Sequence, residues 1–109
     1  MDIVKQAQEF LRSGQTNPHE ARDLRSRLAG EYSFRSGMLQ DILARKPKTW
    51  MDIRATTTSD KQADQKWEQS DDGINEVGLK MQIKAIEKMM SALKTIVDVQ
   101  MNERNNSNL

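Results

Sequence analysis

The stretch RKPKTWMDIR, residues 45–54, holds the side chains best suited to chemistry. Arg45, Lys46, Lys48 and Arg54 against Asp52 give it a local charge of +3, and Trp50 adds a flat aromatic face. Cations that meet phosphates beside an aromatic ring on which a base can stack are the working parts of a single-strand nucleic-acid binder. Arg22, Arg25 and Arg27 add positive charge on the preceding segment. The same pattern also describes a helical turn in which Trp50 and Ile53, three apart, pack on a core while the cations face solvent. A second pair, Tyr32 and Arg35, has the types needed to hold a small anionic nucleotide between subunits.

Other constellations point away from catalysis. The only histidine, His19, lies in the first turn of a helix, where a surface role is expected rather than general-base work. The sequence has no glycine-rich phosphate loop, no nucleophile elbow and no paired-histidine zinc motif. With no cysteine it has no disulfide framework, thiolate metal site or cysteine nucleophile. Residues 60–76 carry a net charge of −4, with Asp71 and Asp72 close to Glu68 and Glu76. Neighbouring positions on a helix face different ways and no calcium-loop spacing is present, so the run reads as a solvated acidic face. We therefore expect a non-enzymatic protein with no cofactor and no metal.

The elements that would carry these residues are helical throughout. Ile3, Val4, Ala7, Phe10 and Leu11 recur at helical spacing, with Asp2 as cap and Gly14 as stop. Asn17, Pro18 and Glu20 mark a second helix start. Its pattern runs through Ala21, Leu24, Leu28, Met38, Leu39, Ile42 and Leu43 to about Lys46, where Pro47 is expected to end it. Gly30 and Gly37 predict a kink or a close helix crossing within it. A short helix from Trp50 and a joint at residues 56–59 follow. Ser59 or Asp60 then opens a segment with a narrow stripe of Ala63, Trp67, Ile74, Val77 and Met81, broken by Gly73 and Gly78. Whether 60–103 forms one helix or two is left open by the pattern.

Residues 79–101 dominate the apolar content. On a helical wheel the charged and hydroxyl residues occupy an arc of roughly 120°, leaving roughly 240° apolar except for Gln82 and Gln100. A surface helix needs an apolar stripe only a little over about 100° wide. One side of this helix is expected to pack on the two N-terminal segments. The other is expected to form a subunit contact through Trp67, Gln82, Ile86, Met89, Met90, Leu93, Val97 and Gln100.

Length and composition set the frame. The chain has 109 residues, 36% hydrophobic and 30% charged, with a formal charge of +1. That suffices for one lean domain, and a lean core favours oligomerisation. We expect a single helical domain over 1–104 and a disordered tail over 105–109. The charge is +3 over residues 1–54 and −2 over 55–109, an asymmetry that copies of the chain can match. The start MDIVKQAQEF does not resemble a signal peptide, and no apolar run approaches the roughly 18 residues of a membrane span.

From Trp50 to Thr95 the order of WMDIR, SDKQADQKWEQSDDG and IKAIEKMMSALKT resembles small helical proteins encoded by bacteriophages and prophages. The resemblance covers under half of the chain and its motifs are helix-packing features. It implies a phage or mobile-element accessory protein that acts in the bacterial cytoplasm by binding. The expected fold is all-α, a helical bundle or long helical hairpin with a long C-terminal helix, assembled as a homo-oligomer. The expected function is contact with a host or phage protein, such as DNA-processing or defence machinery. The alternatives are single-stranded DNA binding or annealing through Arg45, Lys46, Lys48, Trp50 and Arg54, and an oligomeric nucleotide sponge using Tyr32 and Arg35. Salt-dependent retention on single-stranded DNA separates the first alternative from protein contact.

Overall fold

Helix ends are set by short side chains that satisfy the first free backbone amides. Asp2 accepts from the Val4 amide at 3.0 Å and opens α1, Ile3–Arg12. Gly14 follows it at φ 72°, a left-handed conformation natural to glycine. Asn17 accepts from the amides of His19 and Glu20 at 3.0 and 3.3 Å and opens α2, Pro18–Arg54. Ser59 accepts from the Gln62 amide and opens α3, Asp60–Gln69. Ser70, with ψ 160°, ends α3, and its hydroxyl accepts from the Gly73 amide at 3.0 Å to open α4, Asp71–Ser107. This computed structural model describes residues 2–107.

The chain is all-α, with four helices among the described residues, and residues 60–103 form two of them rather than one. The expected joint at 56–59 lies between α2 and α3. Residues 105–107 of the expected tail continue α4, while 108 and 109 lie outside the described residues. Packing divides the chain into two compact units. Residues up to Ser33 together with those from Lys84 on form the first, and Phe34–Ile83 form the second.

In the first unit α1 and the start of α2 close on α4. Ala7 and Phe10 meet Ala21, Leu24, Leu28, Ile86, Met89 and Leu93 in one buried cluster, flanked by Tyr32, Met90, Ile96 and Val97. The expected packing of residues 79–101 on the N-terminal helices is found here for Ile86 to Val97, while Leu79 packs in the second unit. Of the residues expected at a subunit contact, Ile86, Met89 and Leu93 are core residues of this unit and Trp67 is a core residue of the other.

Two expectations about α2 are corrected. Pro47 does not end the helix, which continues to Arg54. A proline inside a helix removes one backbone hydrogen bond and costs about 3 kcal/mol. Here contacts on both sides of it outweigh that cost, as described below. Gly30 and Gly37 mark no close crossing, because a Cβ at either would meet nothing within 4 Å. The glycine that does permit a close approach is Gly73, where a Cβ would lie 1.9 Å from the Trp67 carbonyl oxygen at the end of α3.

Opposite signs follow for alanine at these sites. Gly73→Ala should lower the unfolding free energy by about 1–3 kcal/mol through overpacking against backbone. Gly30→Ala should raise it by up to about 1 kcal/mol, because the helix gains and nothing is displaced. Urea denaturation followed by circular dichroism reads both.

Candidate functional site

The second unit buries few large apolar side chains. Ile42, Trp67 and Leu79 are buried together, with Leu39, Trp50 and Ile53 packed against them. Around this small cluster, polar side chains on α2 meet acids from α3 and α4 one by one. Arg45 donates two hydrogen bonds to Asp72, both at 2.8 Å. Lys46 donates to Glu76 at 2.8 Å. The Trp50 indole N–H donates to Asp64 at 2.8 Å, and Arg54 donates to Asp60 at 2.7 Å and to the Thr57 carbonyl at 3.0 Å.

Four of the five residues expected to bind nucleic acid thus have partners inside their own unit. Arg45, Lys46 and Arg54 are each matched by a carboxylate, and half-buried Trp50 lies against the core with its N–H occupied. Lys48 remains exposed with no partner among the described residues. Four of the six acids in residues 60–76, Asp60, Asp64, Asp72 and Glu76, face this strip as its counter-charge, while Glu68 and Asp71 stay on the solvated face. Among the described residues, no group of three His, Cys, Asp or Glu is placed to hold a metal ion.

Glu76 is the most enclosed of these acids, 6% exposed. Lys80 stands 3.6 Å from its second oxygen, and the Lys46 ammonium that it binds lies 5.2 Å from the centre of the Trp67 ring. The hydrogen bond from Lys46 holds the Glu76 carboxyl below its ordinary value of 4.5; burial opposes this, and the charges of Lys46 and Lys80 add to it. The Arg45 hydrogen bond lowers Asp72 in the same way, and Asp72 raises Arg45. The Trp67 indole N–H is buried without an acceptor, so the ring is held by apolar packing and by the Lys46 cation over its face.

Tyr32 and Arg35, expected to hold a nucleotide, are both engaged with α4. The Tyr32 hydroxyl donates to Glu87 at 3.1 Å, and Arg35 donates to Gln82. Tyr32 also lines a shallow groove of the first unit with Arg25, Met90 and Lys94. Of the other residues expected at a subunit contact, Met90 and Val97 flank the first unit's core and Gln100 is half-buried.

The open apolar surface lies elsewhere. In the second unit a groove of about 520 Å³ runs between α2 and α4. Ile42 and Leu79 line it below Met38, Ile74 and Gly78, with Asp41, Arg45, Asn75 and Gln82 as its polar lining. Six large apolar side chains stand exposed on the same unit, Phe34 at 63%, Met38 at 37%, Met51 at 63%, Ile74 at 59%, Val77 at 53% and Met81 at 67%. Met38 and Ile74 line the groove, and helical spacing sets Phe34, four before Met38, and Met81, seven after Ile74, on the same helix faces. The sequence pattern places Met38 on the apolar stripe of α2 and Ile74, Val77 and Met81 on one narrow stripe with Ala63 and Trp67. The stripe through Ala63 and Trp67 does not continue into α4, because the extended backbone at Ser70 breaks the helical phase. The usable signal was the spacing of Phe34 and Met38 beside Gly37, and of Ile74 and Met81 around Gly78.

Comparison with protein-family models, with curated proteins and with solved structures found no match to this chain.

The ion pairs set the acid response of this unit. A carboxyl whose folded-state value is depressed adds stability above its unfolded value, and that stability is lost as pH falls through the folded value. Glu76→Gln should therefore cost about 1–3 kcal/mol at pH 7, the worth of a hydrogen bond to a charged group. The gap to the unsubstituted protein should close as pH drops below 4.5, the ordinary glutamate value. Denaturation midpoints of both proteins across pH 3–7 measure it.

Proposed function

We propose that the protein acts by binding another polypeptide through the α2/α4 groove of its second unit, as a non-enzymatic accessory protein of a phage or mobile element. One observation carries this reading. Phe34, Met38, Ile74 and Met81 remain exposed on a unit that buries only three large apolar side chains, Ile42, Trp67 and Leu79, beside the small Ala63. Apolar patches of a few hundred Å² on a small protein mark contact sites more often than chance exposure. The resemblance of residues 50–95 to small helical phage and prophage proteins supports the setting, with host or phage DNA-processing or defence machinery as the target.

The single-strand nucleic-acid reading loses support from the same geometry. A polyanion would have to displace Asp72, Glu76, Asp64 and Asp60 from groups that they already bind. No helix among the described residues is long and apolar enough to cross a membrane, and the groove is read as a protein contact.

A photo-crosslinking amino acid at Met81, introduced in the native host, should yield a discrete polypeptide adduct. The same probe at exposed Lys61 on α3 should not. Equal labelling from both positions would contradict the proposal.

A further inference from the structure

We infer that the occupant of the α2/α4 groove is a second copy of this chain, packed face to face about a twofold axis near Gly78. The inference rests on the reading of the groove as a protein contact and names the partner. Three features support it.

The face is self-complementary. Ile74 lies four residues before Gly78 and Met81 three after it, so an antiparallel twofold beside Gly78, midway in register between Val77 and Gly78, sets Ile74 of one copy against Met81 of the other at both ends of the contact. Gly78 bears no side chain, and a Cβ there would meet nothing within 4 Å, so the α4 backbones can approach closely. Protruding side chains and an open groove thus occur on the same surface, in the relation that two identical faces need.

The charge is right for a like partner. Residues 34–83 contain as many Lys and Arg as Asp and Glu, so the unit is formally neutral. At the groove, Arg45 is already held by Asp72. A strongly acidic or basic partner finds little to select it, and two copies of a neutral face do not repel.

The size also fits. An aromatic side chain presents roughly 150–250 Å² when bare, and Met and Ile fall in about the lower half of that range. At exposures of 63%, 37%, 59% and 67%, Phe34, Met38, Ile74 and Met81 supply about half of the ~800 Å² that one partner brings to a standard interface. The apolar share of such interfaces is close to that fraction.

Sedimentation equilibrium of the full chain tests this, with Ile74→Asp, Met81→Asp and single-cysteine variants alongside. The expected result is a concentration-dependent dimer. Each aspartate should weaken it at least ~30-fold, as an interface anchor does, with helical circular dichroism unchanged because both positions are exposed and melting unchanged only at dilutions where the unsubstituted chain is already monomeric. The chain has no cysteine, so Gly78→Cys should oxidise to a disulfide-linked dimer at concentrations where Gly30→Cys stays monomeric. A monomer at several hundred micromolar overturns the second copy as occupant and leaves the groove reading to the Met81 crosslink. A dimer that persists in the doubly aspartate-substituted protein overturns both, and a dimer sensitive to aspartate but without the Gly78 disulfide overturns the twofold beside Gly78.

Discussion

The second unit depends on a ladder of charged contacts between α2 and the acids that follow it. Arg45 with Asp72, Lys46 with Glu76, Trp50 with Asp64 and Arg54 with Asp60 join segments up to 30 residues apart in sequence. Isolated surface ion pairs contribute at most about 1 kcal/mol each. This set is stronger than isolated pairs in two places, at the two-pronged Arg45–Asp72 contact and at enclosed Glu76. The ladder explains how α2 passes through Pro47. Lys46 and Arg45 hold the helix just before the proline, Trp50 and Ile53 seat it just after, and the lost backbone bond falls between two anchored turns.

The two units solve the same problem with different materials. The first buries Phe10, Leu24, Leu28, Ile86, Met89 and Leu93 and needs no ladder. The second encloses Trp67 under a lysine and packs it at the Gly73 backbone. Because the charged contacts align its helices, the second unit does not need all of its apolar side chains inside. Phe34, Met38, Ile74 and Met81 remain outside, beside a groove, and are free to meet another chain. The functional proposal follows from that division of labour.

Much of this architecture is written in local pattern. Asp2, Gly14, Asn17, Ser59 and the threonine joint act through neighbours a few residues away, so their roles were readable from spacing alone. The apolar face of residues 79–101 announced its packing on the N-terminal helices. What local pattern hides is long-range pairing and helical phase. The basic strip at 45–54 and the acidic run at 60–76 look like two independent surfaces until the turn at 55–59 folds one onto the other. A stripe read across Ser70 mixes two helices whose faces are out of phase, which sent Ile74 and Met81 to the wrong side. Pro47 misled for the related reason that its cost is local and its compensation is tertiary.

The charged contacts between α2 and the acids of α3 and α4 add to the small apolar cluster in holding the second unit's helices together. Native-state hydrogen exchange in about 0.1 M and about 1 M salt tests that contribution directly, since salt screens ion pairs and leaves apolar packing in place. The account predicts that protection falls with salt across α3 and the amides of residues 74–83, while residues 21–28 and 86–93 keep theirs. Equal protection in α3 at both salt concentrations would contradict it.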